Sequence, residues 1–462
     1  MFFLDYTTTF FQSFNWAAVI EYINKPFYVL FWVFFVNGGF ILFLLVLLWC
    51  FYKIYMDTMM GVFISKTKKI CLSIDIPKNN MQTPKSIESL FIQLLGTYVK
   101  PTLKEFYFVG KIPADTFTFE IVSLDGYIQF IIHLAPSARD VIESAIFAQY
   151  PDAEIMEIPD YAQNFPDHFP SEEWDMWGTE LALVSRIKNT DFLPIKTYDD
   201  FVDADAEEFK YKDPLAAVLE IMGKMRMGEN LCLQIGVRGR GKDAINAWEA
   251  SVRKEMDGIM GIKEVPKPAT ANPFFALFSP FLTIGKDIFA QLLTTEISAD
   301  AELKKEEKAP ELTNWASKLK PDQKITMELL EKKLSKKTLE SKIRVMYIAK
   351  KEVMNRAKGV SGIMGTISQF SNPNGSSLLP VSDVSTAGAK YFFVPERTAR
   401  KQNLFINAYK TRSMFKGGAT FSMNIEELAS IFHFPNISVK APMITKVESK
   451  KVEPPMDLPT LD

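Results

Sequence analysis

The chain has 462 residues, with 53 Lys or Arg against 55 Asp or Glu and a net charge of −2. That length holds two or three domains, and that balance excludes a global electrostatic attraction to nucleic acid or to an acidic membrane surface. Cys50, Cys71 and Cys232 form no C-x-x-C pair, and His133, His168 and His433 are scattered, so neither a disulfide framework nor zinc-ligand spacing is visible.

Residues 1–25 are aromatic and polar and read as an extracytoplasmic segment at the membrane interface. Residues 27–52, FYVLFWVFFVNGGFILFLLVLLWCFY, then carry no charge at all. A helix needs about 20 apolar residues to cross a bilayer, so 26–53 is expected to be a transmembrane helix. Pro26 suits its start, and Trp49, Phe51 and Tyr52 suit an interfacial belt. The preceding flank lacks a basic n-region and no A-x-A site follows, which argues against a cleaved signal peptide. Lys53, Lys66, Lys68 and Lys69 follow the span, whereas only Lys25 precedes it. The positive-inside rule then predicts a single-pass protein of the inner (cytoplasmic) membrane with its C-terminal body in the cytoplasm.

Residues 62–77 read as a strand region and 86–99 as a helix. TFTFEIVSL (116–124) and YIQFIIHL (127–134) alternate as strands around Asp125-Gly126, a strong hairpin signal. A helix over 137–150 and a strand over 153–158 complete the order β-α-β-β-α-β, the split βαβ pattern of ferredoxin-like folds, in a module spanning 62–160.

After a loop-rich stretch (159–177), strands are expected at 179–187, 230–237, 339–350 and 419–424. Helices are expected at 214–225, 242–258, 324–336 and 352–370. The prediction is an α/β (α+β) protein: a transmembrane helix, then two ferredoxin-like modules, the second (178–435) carrying a long insertion at 259–323. Within the insertion, 271–293 is strongly apolar and reads as a membrane-grazing or partner-binding segment, or as a loop packed on its own domain. The acidic run 199–209 lacks the glycine and closing glutamate of a calcium loop and reads as solvated.

The stretch GVRGRGKD (236–243) fits the start of a phosphate-binding loop, G-x-x-x-x-G-K. Asp243, however, stands where Ser or Thr would bind magnesium, and no second acid on an apolar strand follows. The stretch reads instead as a strand-to-helix turn, with Asp243 at the helix N-terminus and Arg238, Arg240 and Lys242 facing solvent. No local Ser/His/Asp or Cys/His arrangement stands out either, so no catalytic residue, cofactor or metal is expected, and the chain reads as a non-enzyme.

The segment FSMNIEELASIFHFPNISVKAPMITKVESKKVEPPMDLP (421–459) resembles the stretch just before the motor domain in bacterial membrane-bound ATPases of the HerA and conjugative-coupling type. FTFEIVSLDGYIQFIIHLAP, AQYPDAEIMEIPDY, LPIKTYDDF and YKDPLAAVLE resemble the N-terminal region of the same family. The chain ends at Asp462, where such a motor would begin, so ATPase activity is not carried over. The resemblance implies a membrane-anchored, non-catalytic subunit of type IV secretion or conjugation-like machinery that partners a separate motor ATPase, with homo-oligomerisation left open. Asn424 and Glu427 have the spacing of a capping box, and 436–462 reads as a proline-rich extended tail. Candidate docking residues are Asn424, Glu427, Phe432, His433, Phe434, Pro435, Pro454 and Pro455. Two alternatives are a divergent nucleotide-binding protein using 236–243 and a general envelope scaffold.

Overall fold

The computed structural model describes residues 26–35, 39–77, 80–112, 115–187, 191–203, 210–261, 319–387 and 391–436. The expectations for 1–25, for 262–318 of the insertion and for 437–462 of the tail lie outside the described residues. The chain divides into two units, residues 1–66 with 101–112 and residues 67–100 with 113–462.

The first unit is helical. Largely apolar sequence, uncharged as far as Tyr52, forms α1 (Phe27–Phe34) and α2 (Phe40–Lys66). The α2 helix runs past the expected end of the span because no proline interrupts residues 53–66. The expected strand region at 62–77 accordingly starts late, at Ile70. Within α2, the 24 residues Phe43–Lys66 are long and apolar enough to cross a membrane, and Phe43, Leu47, Phe51 and Ile54 stand exposed. Near its end, the Tyr55 hydroxyl donates to the Tyr107 carbonyl at 3.1 Å, in a π-helical turn over Glu105–Val109. Gly110 closes that turn at φ 72°, against the Met59 backbone, where any Cβ would collide.

The second unit is built on one antiparallel sheet. Its first half runs β1 (Ile70–Asp75), α3 (Lys85–Leu95), β2 (Thr116–Leu124), β3 (Tyr127–Leu134), α4 (Arg139–Gln149) and β4 (Glu154–Ile158). Its second half begins with β5 (Trp174–Ser185), a two-stranded ribbon of β6 (Val202–Asp203) and β7 (Lys210–Tyr211), α5 (Ala216–Gly223) and β8 (Glu229–Arg238). Then come α6 (Lys242–Ile259), α7 (Pro321–Ser335), β9 (Thr338–Lys350), α8 (Gly362–Ile367) and β10 (Ser376–Pro380). The described chain closes with α9 (Val394–Lys410), β11 (Phe421–Asn424) and α10 (Ile425–Ile431).

The strand order is β10-β5-β9-β8-β2-β3-β1-β4, with β11 also pairing with β9. Counted outward from the β2–β8 pair, each half repeats the same order: its second, third, first and fourth long strand. The two halves therefore meet at the centre of a single sheet, in a pairing that runs from Thr116↔Arg238 to Leu124↔Asn230. The β2–β3 hairpin turns through Asp125 and Gly126, both at positive φ (55° and 93°), as a two-residue primed turn requires. The helix expected at 352–370 is shorter and less regular: a π-helical turn at Ala357–Ser361, α8, then a 3-10 turn at Ser368–Phe370.

Strand periodicity gives the sheet two different faces. One face, with Phe117, Phe119, Ile121, Ile235 and Val345, packs against α3, α4, α5, α8 and α10. The other, with Val122, Ile131, Cys232, Met346 and Ile348, is covered by Tyr161, Phe165, Phe169 and the inner side of α9. Helices α6 and α7 pack apart, around Phe192, Leu193, Val252 and Leu330.

Candidate functional site

The segment expected to meet a partner begins with Asn424, which caps α10. Its side chain accepts from the Glu427 backbone N–H at 2.8 Å, and the Glu427 carboxylate accepts from the Asn424 N–H at 2.8 Å. The expected capping box is therefore present. All seven residues of α10 are buried, the three polar ones included. Each of those polar side chains finds a partner elsewhere. Glu426 pairs with Lys332 at 3.1 Å and Lys336 at 2.9 Å, and the Ser430 hydroxyl accepts from the Tyr198 N–H at 2.8 Å. Glu427 meets Lys333 at 2.5 Å with both side chains fully buried, and its other oxygen accepts from the Ile195 N–H at 3.1 Å.

Beyond α10, two aromatic rings cross to the first half of the sheet. Phe432 packs edge-on against Phe119 and Phe130, and Phe434 against Phe130 and Tyr150, with ring centroids 5.1–6.0 Å apart. Between them His433 is buried, with Nδ1 2.8 Å from the Ala429 carbonyl and Nε2 2.8 Å from Asp213. Both ring nitrogens thus face oxygen atoms. Burial pushes the Asp213 carboxyl up. The facing His433 and the N–H groups of Leu215 and Asn436 outweigh that and hold it below the usual carboxylate range. The segment ends pinned, because the Asn80 side chain donates to the Pro435 carbonyl at 3.0 Å and the Asn436 N–H to Asp213 at 3.3 Å.

Of the candidate docking residues, Asn424, Glu427, Phe432, His433, Phe434 and Pro435 are thus all buried. They join the two halves of the sheet and present no exposed face of their own in this fold. Pro454 and Pro455 lie outside the described residues. Lys333, Asp213 and Asn80 were not singled out by sequence. Lys333 did carry a signal: it follows Met327 and Leu330 at three-residue steps, a charged residue on an otherwise apolar stripe.

The opposite face of the sheet holds a second polar system. Glu180 on β5, Arg344 on β9, Gln234 on β8 and Glu120 on β2 are register partners on four adjacent strands, all buried. Arg344 donates to Glu180 at 2.9 Å and to Gln234 at 3.2 Å, and Gln234 donates to Glu120 at 2.9 Å. Arg412, just past α9, reaches Glu120 at 2.8 Å and Asp160 at 2.7 Å. Burial raises the Asp160 carboxyl, but its hydrogen bonds and attraction to Arg412 prevail and lower it to about 2. Burial raises both nearby thiols, Cys71 and Cys232, to about 12, so neither is an activated nucleophile.

The glycine-rich stretch is a strand-to-helix connection. Gly236 is inside β8, opposite Thr118 and Lys342, and only residues 239–241 link β8 to α6. Arg238 pairs with Glu340 at 2.7 Å and Arg240 donates to the Ser422 hydroxyl at 2.6 Å, so the structure corrects the expectation that both face solvent unpaired. Lys242 and Asp243 are exposed in the first turn of α6. Among the described residues, no group of three or more His, Cys, Asp or Glu side chains is placed to hold a metal ion.

A family model described as a domain of unknown function, DUF8128, matches residues 77–447. No curated protein matches the chain.

Proposed function

The chain belongs to the DUF8128 family, and from that premise we propose that it is a membrane-anchored, non-catalytic scaffold of a type IV secretion- or conjugation-like transfer machine, partnering a separate P-loop ATPase. The ATPase and the transfer role rest on the resemblance of residues 421–459 to the pre-motor segment of coupling-type ATPases. The repeated strand order supports a body of two ferredoxin-like modules joined through their second strands. In this reading α2 crosses the inner membrane and the lysines after it hold the body in the cytoplasm.

The observation that carries the proposal is the locking of residues 424–436 into both halves of the sheet unit. A segment fixed in this way passes load from whatever follows Asn436 into the whole sheet, which is what a motor's attachment point needs. The test is co-purification of a P-loop ATPase with this chain from membranes of its native host. Truncation after Asn436 is expected to leave the body folded and membrane-bound and to lose the ATPase. Equal recovery of the ATPase with and without the tail refutes the docking role.

A further inference from the structure

Ahead of α9 the chain presents Tyr391, Phe392 and Phe393 in succession, with 84%, 82% and 75% of their surfaces exposed. Three consecutive aromatic residues are costly to leave in water. Tyr391 and Phe393 also take the left-handed backbone region, at φ 79° and 54°, which is uncommon for bulky residues. The outer side of α9 continues the surface. Arg400, exposed, follows Phe393 at seven-residue spacing, and Leu404, 64% exposed, follows at eleven. The inner side of the same helix is buried through Gln402, Phe405, Ile406 and Tyr409.

We infer that Tyr391–Phe393 and the outer side of α9 form a second membrane contact, seated in the headgroup region of a bilayer. Aromatic rings followed by an arginine are the chemistry of that region: the rings enter the acyl boundary and the guanidinium group stays with lipid phosphates. The tether favours lipid as the occupant, since only three residues, 67–69, separate α2 from β1. A contact of the sheet unit with the bilayer that α2 enters is therefore intramolecular, so a weak interfacial affinity suffices. The inference rests on the reading of α2 as a membrane span.

The test uses the full chain with Cys50→Ser, reconstituted in vesicles of phosphatidylcholine and phosphatidylglycerol. The two other cysteines are buried. Three single-cysteine variants, Phe392→Cys, Leu48→Cys and Glu328→Cys, carry an environment-sensitive fluorophore, and the vesicles contain a nitroxide-bearing lipid. Quenching is expected at 392 and 48 and absent at the exposed α7 position 328. Quenching at 48 without quenching at 392 overturns the inference and leaves the span standing. Quenching at 392 without quenching at 48 upholds the interfacial contact and removes the span. Absence of quenching at both positions removes both.

Discussion

Replacing Glu427 with alanine is expected to be among the most damaging single changes in the sheet unit. The Glu427 carboxylate satisfies three buried donors at once: the Lys333 ammonium at 2.5 Å, the Asn424 N–H at 2.8 Å and the Ile195 N–H at 3.1 Å. Lys333 is 0% exposed, and its other partner is the Ser422 carbonyl at 2.9 Å, a neutral group. Removing one member of a buried ion pair typically costs about 3–5 kcal/mol, and an orphaned backbone donor about 1–3 kcal/mol more. Glu427→Ala should therefore lower stability by roughly 4–8 kcal/mol. Glu427→Gln combined with Lys333→Met should recover most of it, since the charge is gone and an acceptor remains. The assay is urea unfolding of the full chain in detergent, followed by near-ultraviolet circular dichroism. A loss below about 1 kcal/mol for Glu427→Ala would refute the reasoning, because it would mean that water reaches Lys333 in the folded state.

Phe434→Ala should cost about 3–5 kcal/mol in the same assay, since its ring fills the space between Phe130 and Tyr150. Gly417→Ala should cost about 1–3 kcal/mol, because φ is 94° there and a Cβ would strike the Glu180 carboxylate. The pH dependence has a definite sign at His133, whose pKa is lowered from 6.5 to about 2 by burial and by the charges of Arg412 and Lys69. Its contribution is complete above pH 6.5 and shrinks as the pH falls toward about 2, because only the unfolded chain takes up the proton. Lowering the pH from 7 to 5 should then cost about 2 kcal/mol through this group, and His133→Gln should flatten that part of the profile. The full chain in detergent should show no magnesium-dependent ATP turnover above background, and turnover that disappears in Lys242→Ala would contradict the reading of residues 236–243.

What the sequence conveyed and what it withheld divide along physical lines. The β2–β3 hairpin was legible because Asp125-Gly126 is one of few dipeptides that tolerate two positive φ angles. Strands β8 and β9 were legible because each holds a short stretch rich in apolar and β-branched residues, Leu231–Ile235 interrupted by Gln234 alone and Val345–Ala349 by no polar residue other than Tyr347. Helix α9 was missed because its first two turns are polar and its buried side offers only Gln402, Phe405, Ile406, Ala408 and Tyr409. The capping box of α10 was legible, but its burial was not. Nothing local to Glu426 and Glu427 signals that Lys332, Lys333 and Lys336 reach them from a segment far earlier in the chain. The β2–β8 pairing was hidden for the same reason, since nothing local to either strand announces a partner in the other half.

That central pairing also sets a condition on how the protein is made. Strand β2 is complete at Leu124, but its partner on the inner edge, β8, begins only at Glu229. A ribosome adding about 5–20 residues per second leaves that edge open for roughly 5–20 s. During this interval the apolar helix α2 has already emerged, and the nascent first half carries a nine-residue strand with unpaired backbone groups. An open edge of that length readily pairs with the same edge of a neighbouring chain. In a polysome, the nearest such edge belongs to the next copy, so synthesis itself offers a route to mispaired dimers until β8 arrives to close the sheet.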